Sequence, residues 1–161
     1  MKHFLLILAL LFFISGCGGD SFKSNKKIVG GVEIANFSAK EIAKKAKEYG
    51  YKNKEFFGYR AYRVVYDTTD DNGKKVKASG VIVIPNANGA SDSIKEKLKV
   101  MQSEGFALAI DCHGTIFTNK EAPSVAIANS KEPYGSEVLL SGYGGFITLL
   151  PDYIGLSLIH I

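Results

Sequence analysis

The sequence predicts an α/β fold, and three observations carry this prediction. Residues 59–66 are rich in Tyr and Val, residues 76–85 in Val and Ile, and Asn72-Gly73 between them is typical of a β-hairpin turn. Short apolar runs at 106–110 and 146–150 indicate two buried strands, and a helical pattern precedes the first of them. A β-hairpin followed by a strand-helix-strand unit is an α/β arrangement.

Length and composition fit one globular domain. The chain has 161 residues, of which 46% are hydrophobic and 22% charged, and these values exclude a disordered or collagen-like chain. The formal net charge is +4, and lysines crowd residues 23–47. Because no basic-aromatic motif accompanies these lysines, we interpret them as a solvated surface and expect no nucleic-acid partner.

The amino-terminal residues have the pattern of an export signal. A basic start precedes an apolar run from Phe4 to Ile14, which is shorter than the roughly 20 residues that a membrane-spanning helix needs. The motif Ile14-Ser15-Gly16-Cys17 resembles the bacterial lipobox, whose Cys receives a diacylglycerol. We expect a cleaved lipoprotein signal peptide at 1–16 and an acylated Cys17 that anchors the protein to the lipid membrane of the bacterial cell envelope, with the outer membrane or periplasmic face favoured. A plain secretory signal with a chance Cys is the alternative.

Residues 17–36 are predicted to form a flexible tether after the lipidated Cys, because they are rich in Gly, Ser, Lys and Asn. Within this segment, Ile28-Val29-Gly30-Gly31 resembles the activated amino terminus of trypsin-like proteases. The next histidine is His113, which lacks the sequence context of a protease histidine, so we interpret the match as chance. The folded domain is accordingly expected over 37–155.

Capping patterns predict two helices. Ser38 and Glu41 have capping-box spacing ahead of an amphipathic stretch that Gly50 ends. Ser93 and Glu96 repeat that spacing, and the apolar periodicity of the second helix continues to Ser103, before Gly105.

The region between the last two strands is less regular. Residues 122–127 are expected to be a loop, and 135–141 suggest a helix. Gly142-Tyr143-Gly144-Gly145 precedes a strand and leads into no helix, so we interpret it as a helix stop and strand entry and not as a phosphate-binding loop.

The segment after the strand at 106–110 is the candidate functional region, since sites in open α/β sheets gather at the carboxyl ends of strands. This strand leads into Asp111-Cys112-His113-Gly114-Thr115, the hairpin ends in Pro85, and the last strand leads into Pro151-Asp152-Tyr153-Ile154-Gly155. Together these motifs resemble α/β-hydrolases of the bacterial and fungal secretory-lipase type, a group of lipases and esterases. The resemblance covers roughly residues 59–155.

The resemblance implies an oxyanion-hole region at His113, Gly114, Thr115 and Ile116, in which a backbone N–H of Thr115 or Ile116 meets the developing negative charge. Gly114 suits a sharp turn and a close backbone approach. His113 is expected to brace the loop and not to transfer protons, because the catalytic histidine of this family comes near the carboxyl terminus.

A second motif implied by the resemblance lies after the last strand. Asp152, Tyr153 and Gly155 are expected to form a structural motif near the site, in which Asp152 accepts hydrogen bonds from loop backbone and is not the catalytic acid.

The nucleophile of such an enzyme is absent from this sequence. No Gly-x-Ser-x-Gly occurs, so no catalytic residue of the triad is present. We expect an N-terminal fragment of a membrane-anchored serine hydrolase that acts on ester or lipid substrates, and we expect the fragment alone to be inactive. Neither a metal nor a cofactor is expected. A non-catalytic surface lipoprotein binding module is the alternative.

Two further expectations concern single segments. Cys17 and Cys112 are the two cysteines, so acylation of Cys17 would leave Cys112 as a packed or loop-facing free thiol. The tail at 156–161 resembles one translation of the transposon-end adapter used in sequencing libraries, and we expect it to be non-native, with no catalytic role for His160. A genuine hydrophobic tail is the alternative.

The resemblance to α/β-hydrolases also implies an incomplete sheet, which lacks the strand that carries the nucleophile. Such a sheet has an open apolar edge that favours poor folding and aggregation.

Overall fold

The computed structural model describes residues 28–112, Gly114, Ile116 and 118–152, and it contains one five-stranded mixed sheet. The strands are β1 (Ile28–Phe37), β2 (Gly58–Thr69), β3 (Lys75–Asn86), β4 (Leu108–Ile110) and β5 (Ile147–Pro151). The helices are α1 (Ala39–Glu48), α2 (Asp92–Glu104) and α3 (Pro123–Asn129), with a 3₁₀ turn at Asn119–Glu121 and a π-helical turn at Val138–Tyr143.

The sheet has the order β1-β2-β3-β5-β4. Strands β1, β2 and β3 form an antiparallel meander, β5 runs antiparallel to β3, and β4 runs parallel to β5. The predicted hairpin is confirmed, with Tyr59 opposite Pro85 in register. The predicted α/β fold with an incomplete sheet is confirmed as well.

One face of the sheet carries the main core. Buried residues of β2, β3 and β5 point to this face and pack against α1, α3 and the π-helical turn: Tyr59, Ala61, Val81, Val83, Leu150, Ile42, Ala46, Ile127 and Val138. Because strand side chains alternate between faces, the register assigns Ile82, Leu149 and Ile110 to the opposite face.

Helix α1 begins as the sequence predicts. The Glu41 N–H donates to Ser38 Oγ at 3.4 Å, and the Ser38 N–H donates to Glu41 Oε2 at 2.8 Å, which completes the capping box. The helix buries Ile42 and Ala46 against the sheet. None of the helices in the described part of the chain has the length and apolarity that crossing a membrane requires.

The predicted tether is wrong over residues 28–36. These residues belong to β1, whose partner is β2 along most of its length, from Ile28 opposite Tyr66 to Phe37 opposite Tyr59. Strand pairing satisfies the backbone groups of a Gly-containing segment whose composition alone suggested a coil. The folded domain therefore includes residues well before the predicted start at 37.

Helix α2 begins earlier than predicted. Its N-cap is Ser91, whose Oγ accepts the Ile94 N–H at 3.3 Å and donates to Glu55 Oε1 at 2.6 Å. Ser93 lies inside the helix, so the predicted capping box at Ser93 and Glu96 is wrong. The end of the helix before Gly105 is confirmed.

The region before β5 also differs from its prediction. Residues 122–127 do not form a loop, because α3 begins at Pro123. The helix predicted at 135–141 is present in part, displaced to the π-helical turn, and Gly144 caps it as the interpretation of 142–145 requires.

Strand β4 is shorter and more exposed than predicted. It spans Leu108–Ile110 instead of 106–110, and the side chains of Leu108 and Ile110 are 68% and 65% exposed. The prediction of a buried strand is wrong because β4 lies at the end of the sheet, and within the described residues only β5 pairs with it.

Candidate functional site

The carboxyl ends of β4 and β5 meet at one edge of the sheet, because these strands are parallel neighbours. Asp111 follows β4, and its N–H donates to the Leu149 carbonyl at 2.9 Å. Asp152 follows β5, and its N–H donates to the Ser79 carbonyl of β3 at 3.1 Å. The sheet thus holds two carboxylates at the edge where α/β proteins gather their functional groups.

Asp152 ties three elements together. Its Oδ2 accepts from Ser79 Oγ of β3 at 2.5 Å, and its Oδ1 accepts the backbone N–H of Ser124 in the first turn of α3 at 2.8 Å. Both carboxylate oxygens therefore have partners. Tyr153 and Gly155 of the same motif lie outside the described residues, and the predicted place of this motif near an active site stays a prediction.

A further carboxyl group, that of Glu137, lies next to the hydrogen-bond partner of Asp111. Ser136 Oγ donates to Asp111 Oδ2. The adjacent Glu137 is only 1% exposed, and the Tyr59 hydroxyl approaches its Oε1 at 3.5 Å. Burial, with a smaller contribution from the charge of Asp111, raises the pKa of Glu137 to about 7, although hydrogen bonds from backbone N–H groups and from the Tyr59 hydroxyl oppose the shift. Burial and the nearby Glu137 also raise the pKa of Tyr59.

The sequence pattern does not identify Glu137 as a buried group. Glu137 stands between Ser136 and the apolar residues Val138 and Leu139, a local pattern that equally suits an exposed helix start. Its burial comes from Tyr59, which is far away in sequence, so no local signal identifies it.

The predicted oxyanion turn is described in part. The thiol of Cys112 is free and exposed, as the prediction of a packed or loop-facing thiol allows. Gly114 is exposed and Ile116 is half-buried. His113 and Thr115 lie outside the described residues, as do Cys17 and His160. The oxyanion assignment therefore stays a prediction.

The face of the sheet opposite the main core is open near this edge. A cavity of about 410 Å³ lies on it, and its lining is mostly apolar: Val64, Tyr66, Ile82, Ile110, Leu149 and Pro151. The exposed side chains of Leu108 and Ile110 belong to the same face by register. No part of the described structure covers this apolar face or pairs with the outer edge of β4, and a further part of a protein ordinarily covers such a surface.

A larger cleft of about 890 Å³ lies elsewhere, between α2 and the segment before β2. Phe57, Met101 and Gly144 are among its lining residues, and Gly144 precedes the amino end of β5. This cleft therefore lies away from the carboxyl edge that carries Asp111 and Asp152. Across the described residues, no three His, Cys, Asp or Glu side chains gather as a metal site would require.

The fold is similar to solved hydrolase structures. A candidate hydrolase from Legionella pneumophila superposes with a TM-score of 0.60 at 20% identity, over 84% of this chain and 32% of that protein. The ligand-bound form of the rice cell wall degrading esterase LipA from Xanthomonas oryzae superposes with a TM-score of 0.55 at 15% identity, over 82% of this chain and 30% of that protein. No protein-family model and no curated protein sequence matches the chain.

These similarities show the fold. The chain has an incomplete α/β arrangement, and this arrangement is similar to part of the fold of solved hydrolases. It spans about a third of the length of each solved hydrolase that it matches.

Proposed function

We propose that this chain is the N-terminal part of a longer, lipid-anchored serine hydrolase that acts on carboxylic esters, and that this part alone is inactive. The observation that carries the proposal is the arrangement of β4 and β5. Their parallel carboxyl ends bring Asp111 and Asp152 to one edge, while no other described residue pairs with the outer edge of β4 or covers the face beside it.

The handedness of crossover connections explains why the open face matters. The connection from β4 to β5 runs through α3 across the core face of the sheet. Crossovers between parallel strands are right-handed in about 98% of cases. A connection from β5 back to a new parallel strand beyond β4 moves in the opposite direction across the sheet, so the same handedness places it on the other face.

That other face is the one with the apolar cavity and the exposed Leu108 and Ile110. A further strand and helix would bury this surface and pair the open edge of β4. Connections that leave β4 and β5 over opposite faces also open a crevice between their carboxyl ends, where α/β proteins bind ligands. The turn that begins at Asp111 borders this crevice.

In this proposal the turn after β4 supplies the charge-stabilising half of an acyl-transfer centre. A backbone N–H at Thr115 or Ile116 would donate to the oxyanion that forms when a serine attacks the ester carbonyl. The serine, its acid and its histidine would come from the rest of the protein, since this sequence contains no Gly-x-Ser-x-Gly. The proposed membrane partner follows from the lipobox-like motif that ends at Cys17.

The decisive experiment reads the gene beyond the codon for Gly155. The proposal expects Gly-x-Ser-x-Gly in the next strand-turn-helix unit, followed by an acid and a histidine. The extended protein should hydrolyse short-chain chromogenic esters, and replacement of the elbow serine with alanine should abolish that activity. A stop codon or an unrelated sequence would favour the alternative, a lipoprotein binding module without catalysis.

The chain as it stands provides a second test. It should show no turnover of the same esters, and a serine-directed phosphonate probe should leave it unlabelled. Labelling would mean that a nucleophilic serine exists within these residues and would contradict the proposed division of the site. Mass spectrometry of the protein from a bacterial envelope tests the anchor, because acylation adds a defined mass to the peptide that begins at Cys17.

A further inference from the structure

We propose that Glu137 is a positioning residue for the turn after β4: its buried carboxyl holds Gly135 and Ser136 in place, and Ser136 in turn holds Asp111. The importance of this turn for acyl transfer rests on the proposed function. The hydrogen-bond relay itself depends only on residues that the structure describes, so the two can be tested separately.

The first step of the relay is the contact of Glu137 with its own loop. Gly135 has φ of +80°, and a Cβ at this position would lie 2.7 Å from Glu137 Oε2. The carboxyl group therefore occupies the space that a side chain at 135 would need. Backbone N–H groups of Tyr134 and Glu137 donate to this carboxyl, which closes the loop around it.

The second step connects Glu137 to the core. The Tyr59 hydroxyl approaches Glu137 Oε1 at 3.5 Å, and the Tyr59 side chain is fully buried in β2. Its ring contacts Phe37 edge-on, with ring centroids 5.6 Å apart. The core therefore fixes the position of Tyr59, and the contact with Tyr59 holds the Glu137 carboxyl in place beside the loop.

The third step reaches the candidate site. Ser136 Oγ donates to Asp111 Oδ2, and the Asp111 N–H donates to the Leu149 carbonyl. The main chain of Asp111 is therefore fixed by β5, and its side chain by the loop that Glu137 holds. Cys112, which follows, carries a free, exposed thiol and reports on the start of the turn.

A carboxyl at position 137 has a consequence that an apolar residue would lack. The titratable groups that face it in the described structure are Tyr59 from β2 and Asp111 after β4, and Tyr49 at the end of α1 faces Tyr59 in turn. An ionised Glu137 carboxylate is poorly solvated in its buried position, and the charge of Asp111 repels it. The relay is therefore expected to hold the turn more firmly at pH 6 than at pH 8.

The test uses the full chain with Cys17→Ser, so that Cys112 is the one remaining cysteine. The rate of Cys112 alkylation by iodoacetamide is measured from about pH 6 to about pH 8.5 in this parent and in Glu137→Gln, a neutral isostere. The ratio of the two rates at each pH cancels the thiol ionisation that both proteins share. We expect the rate of the parent, divided by the rate of Glu137→Gln, to rise by about threefold from the lowest to the highest pH, because local opening of the turn governs the access of the reagent.

Two further variants separate positioning from general stability. Ser136→Ala should raise the alkylation rate at every pH, since it breaks the bond to Asp111 without changing Glu137. Glu96→Gln, an exposed carboxylate on α2, should match the parent throughout. Circular dichroism identifies any variant that does not fold, and amide hydrogen exchange of the peptide that contains Asp111 and Cys112 provides a second readout.

A constant ratio between the parent and Glu137→Gln would overturn the proposal, as would an unchanged rate in Ser136→Ala. Failure of the proposed function would give a different experimental result. A gene without a serine elbow would remove the hydrolase but would leave the pH-dependent reactivity of Cys112 intact.

Discussion

Asp152 at the end of β5 caps α3, because its Oδ1 accepts the Ser124 backbone N–H at 2.8 Å. The residue before the helix, Ala122, has no side chain that could accept this bond, and Pro123 at the first position contributes no N–H. The helix start therefore depends on a carboxylate from a distant strand. This connects the candidate-site edge to the helix that covers the core.

Replacing Asp152 with alanine should destabilise the domain by about 2 kcal/mol, because the Ser124 N–H and the Ser79 hydroxyl both lose a charged acceptor in a partly buried place. Urea denaturation followed by circular dichroism measures the change. Asp92→Ala is the matched control, since Asp92 lies in the first turn of α2 with a side chain that is 97% exposed. Equal losses in both variants would contradict the capping role.

The caps of α1 and α3 show which helix starts the sequence could predict and which it could not. Helix α1 was predictable because Ser38 and Glu41, the residues of its capping box, lie three positions apart. Helix α3 was not, because its cap is Asp152, which a local pattern cannot connect to residues 122–127. Strand β1 was not predicted for a related reason, because its pairing with β2 forms only in the folded sheet.

The stability of the domain should decrease as the pH rises, and Glu137 is the cause. The pKa of Glu137 is about 7 in the folded chain, against an ordinary value of 4.5. The folded state therefore binds the Glu137 proton more tightly than the unfolded state does, and the stability that this proton contributes is fully present below about pH 4.5 and is lost as the pH rises through about 7. At about 1.4 kcal/mol per pKa unit, the loss is on the order of 3 kcal/mol.

Urea midpoints at several pH values check this expectation. Glu137→Gln should flatten the profile and should be more stable than the parent at pH 8, because its side chain stays neutral. A variant profile that keeps the slope of the parent would mean that another group causes the decrease.

Gly135→Ala should destabilise the domain more than Gly73→Ala does. Both glycines have positive φ, +80° and +78°, so an alanine is strained at either position by about 1 kcal/mol. Only the Cβ at position 135 meets an atom, Glu137 Oε2 at 2.7 Å, whereas nothing lies within 4 Å at position 73. Thermal denaturation of the two variants therefore isolates the contact with Glu137, and equal losses would argue against it.

The places of Asp111 and Asp152 after strands were predictable because each motif directly follows its strand in sequence. The segment after β4 and the Asp152 motif lie at one edge, as expected from adjacent parallel strands. Glu137 was not predicted, since its burial depends on Tyr59 of β2 and its shifted pKa on Asp111 after β4. Such a cluster forms only when three distant segments meet.

Leu108→Lys should reduce aggregation of the chain, whereas Val32→Lys should not. The two side chains are equally exposed, each at 68%, and both lie on outer strands of the sheet. Leu108 stands beside Ile110, which lines the apolar cavity, so a charge there interrupts a continuous apolar surface. Light scattering at increasing protein concentration, with binding of a hydrophobic dye, measures the difference. If Val32→Lys suppresses scattering as strongly as Leu108→Lys does, then added charge accounts for the effect and the open face beside β4 is not the surface through which the chains associate.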